Sequence, residues 1–281
     1  MNRITFLTFT FILGMLGIVS GLGQPTLALE YQPTYPYPGA PVLLKDLPQG
    51  VQRIHFLGRD FAVFDLAGHR IALLAVPLSS KPGLYPITLE GVRLPTLKLR
   101  VYPKKYPEEH LTVPERMVCY SPRVLARIKR EIKLIKTTVS GFTPEVYLDG
   151  PFVWPLKGRL SSPFGLRRLF NGEPRSPHSG IDLAAPVGTP VKAANRGRVV
   201  LVGDFYLPGK TLIIDHGVGI YTIYAHLSRF RVKKGQIVAR GQVIALSGCT
   251  GRATGPHLHF GCYVRGIKID PQALLRLLGA R

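Results

Sequence analysis

The sequence predicts a mainly β protein in two parts, a small N-terminal β-sandwich and a C-terminal antiparallel β-sheet domain, joined by one helix. Three observations carry this. Between Val42 and Tyr106, short apolar or alternating runs (VQRIHFLG, DFAVFDLAG, RIALLAVPL, YPITLEG, LPTLKLRVYP) are broken by Gly, Pro or Asp, a rhythm of strands and turns. From Ser121 the period changes to that of a single helix, and from Phe152 β-branched runs return: RGRVVLVG, KTLIIDHG, IYTIYAHL, QIVARGQVIALSG and HLHFGCYVRGIKI. A chain of 281 residues is long enough to bury two modest cores.

The elements follow in order. Residues 1–28 combine a basic start, MNR, an apolar run from Ile4 to Gly23 and a small-x-small site at Thr26-Leu27-Ala28. This is expected to be a signal peptide cut after Ala28, or an N-terminal anchor, since about 20 apolar residues reach across a bilayer. Either exports the rest to the periplasm or cell envelope, or beyond it. Residues 29–41 are too rich in proline for a regular element and read as an extended lead-in. The sandwich-like domain occupies 42–118. A linking helix and linker fill 119–150: Val124, Ile128, Ile132 and Ile135 fall at helical spacing, with Ser121 as N-cap and Gly141 past the end. The second domain, 151–281, closes on a short helix, PQALLRLLG.

Charge is unevenly spread. The chain carries a net +21, and residues 151–281 hold 19 Lys and Arg against five acids, whereas residues 31–120 hold 11 against seven. An anionic partner for the C-terminal half follows. For an exported chain with no zinc-finger spacing and no long basic helix, wall polymers, membrane-surface headgroups or carboxylate-bearing peptides fit that partner, and nucleic acid does not. Three cysteines, at 119, 249 and 262, do not make a disulfide framework for a chain of this size.

Two of the eight histidines stand one residue apart in HLHFG, 257–261. On a strand His257 and His259 share a face, which puts Leu258, Phe260 and Cys262 on the other and makes Cys262 a buried small hydrophobe. Three further segments carry histidines in a recognisable company: SPHSGIDLAAPVGTPV with His178 and Asp182, IIDHG with His216, and YAHLS with His226. In this order, HxxxD, YAHLS and the glycine-led HLHF resemble peptidase family M23, the lysostaphin and LytM type of zinc metallopeptidase, over about Trp154 to Leu278. KGRLSSPFGLRR and RVKKGQIVARGQVIALSG are similar to the family's entry segment and paired glycine turns. The resemblance implies one zinc ion held by His178, Asp182 and His259, with His226 and His257 as catalytic histidines beside it. It also implies hydrolysis of peptide bonds in peptidoglycan cross-links. Two neutral imidazoles and one carboxylate are chemically coherent with this, leaving an open position on the metal. One of the two outer histidines would serve as base and proton shuttle, and the other would orient the nucleophile or donate to the oxyanion.

His55, His69 and His110 lack neighbours that complete a set and read as ordinary polar side chains. His216 resembles a position that supports the sheet, and Asp215 is a candidate to orient a histidine. The family often places an acidic residue after HLHF where this chain has Gly261. YPITLEG and LTVPERMV resemble the β-rich domain that precedes the catalytic domain in some exported relatives, a surface for an envelope protein partner or for restraint of the site. Residues 29–150 contain no asparagine, so a blocking asparagine is absent. Two other functions were open to the sequence: a non-enzymatic wall-binding activator of another hydrolase, and a metallopeptidase acting on exported proteins.

Overall fold

The computed structural model describes residues 30–93, 96–112 and 119–279. The leader expected over 1–28, and most of LTVPERMV, lie outside the described residues. Seven strands build the N-terminal part: β1 (Glu30–Gln32), β2 (Pro41–Lys45), β3 (Arg53–Phe56), β4 (Arg59–Leu66), β5 (His69–Ala75), β6 (Gly83–Glu90) and β7 (Leu97–Val101). They pair antiparallel in the order β1-β2-β5-β4-β3-β6-β7. Residues 59–62 of β4 pair with β3, and residues 63–66 pair with β5. The ribbon therefore turns a corner at β4 and folds over its own apolar face. The proline-rich lead-in contributes β1, three residues long, to the edge of this sheet.

The chain then leaves the N-terminal sheet. β8 (Glu108–Leu111) pairs in parallel with β10 (Arg167–Phe170), across the sequence boundary, while α1 (Pro122–Val139), β9 (Arg159–Ser162) and β11 (Glu173–Pro174) complete this middle region. The C-terminal sheet adds β12 (Ile181–Ala184), β13 (Pro190–Lys192), β14 (Gly197–Phe205), β15 (Gly209–Asp215), β16 (Ile220–Phe230), β17 (Ile237–Val238), β18 (Val243–Ser247), β19 (His257–Val264) and β20 (Ile267–Ile269), before α2 (Pro271–Leu278). Its main path is β17-β14-β15-β16-β19-β12-β9, antiparallel at each step.

Helix α1 starts where the sequence places it: the Ser121 hydroxyl accepts from Val124 N, and Pro122 opens the first turn. Its inward stripe is displaced from the predicted one. Ile128 and Val139 are buried, but Ile132 is exposed and Glu131 turns inward, where its carboxylate accepts from Tyr206 N at 2.7 Å. Ile135 and Val139 pack with Leu201, Phe205, Tyr221 and Tyr263, which fixes the helix to the back of the C-terminal sheet.

The two parts share a core. β2 and β5 are buried at residues 41–44 and 71–75, on both faces, because their outward faces meet α2, β19 and β20. The joint is polar at its rim. Asp270 caps α2 by accepting from Gln272 N and Ala273 N, and also accepts from the Tyr37 hydroxyl at 2.9 Å and pairs with Lys104 at 3.4 Å. Asp270 N donates to Gly39 C=O at 2.8 Å. Gly39 has φ +89°, and a methyl there would meet the Phe164 ring at 2.5 Å. Gly39→Ala should therefore cost about 2 kcal/mol through strain and overpacking, measured as a lower denaturant midpoint.

His216 is a structural residue, as expected. It is fully buried; Nδ1–H donates to Arg196 C=O at 2.8 Å, and Nε2 lies 2.7 Å from the Thr222 hydroxyl. Burial penalises the charged ring and pushes its pKa from 6.5 to about 4, so the ring is neutral at pH 7. The unfolded chain takes up this proton first as pH falls, so the contribution is complete above pH 6.5 and is lost on the way down through about 4. It amounts to about 3 kcal/mol. His216→Asn should be less stable at pH 7 and should show a shallower fall of melting temperature between pH 7 and 4 than the parent.

Candidate metal centre

The strands β12, β19 and β16 lie side by side in the C-terminal sheet. Their register sets Asp182 opposite His259 and His259 opposite Ala225, the residue before His226. His178 stands just ahead of β12, its N donating to Leu166 C=O at 2.9 Å and its C=O accepting from Gly165 N at 3.0 Å. Main-chain pairing thus brings residues from three parts of the sequence to one place.

Three side-chain atoms converge there. Asp182 Oδ1 is 3.1 Å from His178 Nε2 and 2.9 Å from His259 Nδ1, and the two nitrogens are 3.0 Å apart. His178 Nδ1 lies 2.9 Å from Pro163 C=O, which can only accept, so Nδ1 carries the proton and Nε2 offers a lone pair. A tetrahedral ion with bonds of about 2.0–2.1 Å sets its ligand atoms about 3.3 Å apart. The donor set and spacing fit one metal ion, and among the described residues this is the one such cluster. Burial pushes the Asp182 carboxyl pKa up, but the adjoining His178 and His259 rings outweigh it and hold the group ionised, well below the usual carboxylate range. Burial also lowers the pKa of His259, against the pull of Asp182.

The remaining two histidines form an outer pair. The rings of His226 and His257 lie 4.6 Å apart, and His257 Nε2 is 3.8 Å from Asp182 Oδ1. Each is oriented by a carbonyl: His226 Nδ1 is 2.7 Å from Thr250 C=O, and His257 Nδ1 is 2.8 Å from Gly255 C=O. Both rings therefore present Nε2 as a lone pair when neutral. Burial, then the neighbouring His259, pushes the pKa of His226 to about 4. His226 is itself displaced. Between Tyr224 and Leu227 the register with β15 slips by one residue, and His226 sits in this bulge at φ +58° with its N donating to Pro208 C=O at 2.9 Å. The bulge re-aims a side chain that strand alternation alone would direct elsewhere.

All five predicted site residues are thus brought together. The carbonyls of Pro163, Thr250 and Gly255 were missed, because a carbonyl has no side-chain signature; the glycine-rich SGCTGRATGP reads only as a turn. Asp215 orients no histidine. It accepts from the Thr143 hydroxyl and from Gly217 N, tying the stretch after α1 to the sheet. His55, His69 and His110 each sit with one exposed carboxylate, Asp60, Asp46 and Glu108 respectively. Cys262 is buried, and all three cysteines are free. At Gly261 a side chain would meet Ile223 Cγ2 at 2.7 Å, so glycine suits the close approach of β16.

Comparison with known proteins agrees with this geometry. The model of peptidase family M23 matches residues 176–271, which include His178, Asp182, His226, His257 and His259. The peptidoglycan DD-endopeptidase ShyA of Vibrio cholerae is 50% identical over 115 residues, covering 41% of this chain and 27% of that protein. The DD-carboxypeptidase/endopeptidase Mpg of Neisseria meningitidis is 43% identical over 113 residues, covering 40% and 26%. The chain therefore spans about a quarter of the length of these curated relatives. A solved structure of a candidate M23 peptidase from Pseudomonas aeruginosa is 33% identical, with a TM-score of 0.70, and the likeness covers 87% of this chain and 96% of that one. Because that likeness reaches past the metal-facing strands into the N-terminal sheet, the chain as a whole belongs to peptidase family M23.

Proposed function

We propose that this protein is a zinc-dependent endopeptidase that hydrolyses peptide bonds in peptidoglycan cross-links. The observation that carries the reading is the convergence of His178 Nε2, Asp182 Oδ1 and His259 Nδ1, with His226 and His257 beside them. His178, Asp182 and His259 hold the zinc ion; two imidazoles and a carboxylate are a zinc donor set. When bound, zinc supplies Lewis acidity at the open side of the set. The names of the relatives, peptidoglycan DD-endopeptidase and DD-carboxypeptidase/endopeptidase, favour a stem-peptide cross-link over a glycine bridge. The basic C-terminal half suits an anionic wall polymer, and the apolar residues 4–23 suit export to the envelope.

Proton handling falls to the outer pair. His257, its Nδ1 proton held by Gly255, takes a proton from the attacking water at Nε2 and returns it to the leaving amine. Neutral His226, its proton held by Thr250, accepts at Nε2 and so orients the water. Of the two roles the sequence left open for it, donation to the oxyanion would need a charged ring, which its burial disfavours. A complete ligand set beside two oriented histidines favours an enzyme over an inert activator.

Cross-linked peptidoglycan incubated with zinc-loaded protein should release new peptide amines, read by mass spectrometry, and a metal-stripped sample should release none. His226→Ala and His257→Ala should keep zinc and lose turnover by about 10²–10⁴. His178→Ala and His259→Ala should lose zinc, measured by elemental analysis; if they keep it while the outer-pair variants lose it, the assignment is reversed. Restoring zinc to stripped protein should raise the melting temperature by about 5–10 °C, since the ligands meet only in the folded chain.

A further inference from the structure

Building on the proposed peptidase activity, we propose that Arg252, with Arg175 against the same aromatic ring, seats a free carboxylate of the peptide substrate. The position comes first. Arg252 lies between Thr250, whose carbonyl is 2.7 Å from the His226 ring, and His257, and its own N donates to Leu207 C=O at 2.8 Å. The loop that orients the outer histidines thus also carries this guanidinium.

Its direction is fixed by aromatic groups. The Arg252 guanidinium stands 5.7 Å from the centre of the Phe170 ring and donates from Nη1 to the Tyr120 hydroxyl at 3.3 Å. A guanidinium has five N–H donors, so this hydroxyl leaves others for a ligand. Arg175 approaches the same ring, at 5.9 Å, from the segment that leads from β11 to His178. Two guanidiniums therefore approach one phenyl ring, one from the loop that orients the outer histidines and one from the segment that leads to His178.

Among the described residues no carboxylate lies within 4.0 Å of Arg252 or Arg175, whereas the nearby Arg168 is paired with Glu109 at 3.0 Å. The guanidinium fork matches the two oxygens of a carboxylate, and an arginine with donors to spare is suited to receive one. On a peptide that carboxylate is either the terminal α-carboxylate or an acidic side chain close to the bond that is cut.

The test uses the full-length, zinc-loaded protein and synthetic cross-linked peptides that differ only in having a free acid or an amide, first at the terminal carboxylate and then at a side-chain carboxylate. The parent should prefer one free acid by about tenfold or more in kcat/KM, and the position at which it does so names the carboxylate. Arg252→Gln should bring that ratio to within about twofold of one, Arg252→Lys should restore part of it, and both should keep zinc. Calorimetry with non-hydrolysable versions of the same peptides should give the same ratio in affinity. If the parent shows no acid preference in rate or affinity, or if Arg252→Gln weakens acid and amide alike, the seat is overturned. If no peptide is cut, the peptidase reading fails, and the affinity ratio still decides the seat.

Discussion

Three atoms that each seek a positive partner are held within 3.1 Å of one another, and the surrounding structure serves to keep them there. A buried carboxylate facing two imidazole nitrogens is an expensive arrangement for a fold to maintain in the absence of a cation. Its persistence needs rigid support. The sheet provides it, since the pairing of Asp182 with His259 is set by main-chain hydrogen bonds that cannot slip by one residue without turning both side chains to the wrong face. The ligands are thereby preorganised, and a metal meets a site that does not have to be assembled.

Around that core the histidines divide by what holds them. His178 is turned inward by Pro163, whereas His226 and His257 are turned by carbonyls of the loop between β18 and β19. Thr250 does most of this: its hydroxyl donates to Leu227 C=O and accepts from Lys210 N, so the loop that aims His226 is itself pinned to the strands on either side. Rigid ligands on strands and protonatable groups aimed by a loop are a reasonable division of labour, because coordination demands fixed distances and proton transfer demands a particular tautomer.

Much of this was legible in the sequence because the chemistry rests on side chains at fixed spacing. HLHF places two histidines on one face by strand parity, and Leu258, Phe260 and Cys262 are buried on the other, as that parity requires. The two-part β architecture with one helix followed from the periods of the apolar runs. What was not legible depends on the backbone and on tertiary packing. The bulge at His226 carries no glycine or proline to announce it in YAHLS. Helical spacing selected Ile132 for the inward face of α1, yet Glu131 turns inward to receive Tyr206 N, a donor supplied by a loop far along the chain. Asp215 looked like a partner for a histidine by adjacency, and long-range folding gave it Thr143.

The strand β8 has a consequence for how the molecule can be divided. Composition draws the N-terminal part as ending at 118, but residues 108–111 hydrogen-bond along β10, and Asn171 N reaches back to Leu111 C=O. The hairpin that carries Phe170 and leads to His178 is thus a composite of both halves of the gene product. Excising the C-terminal half at its compositional border would leave β10 with an unsatisfied edge, the kind of surface that recruits foreign strands and promotes aggregation. In such a chain modules cannot be shuffled at the apparent seam: any recombination that preserves the ligands and replaces the upstream domain must also supply an edge strand for β10.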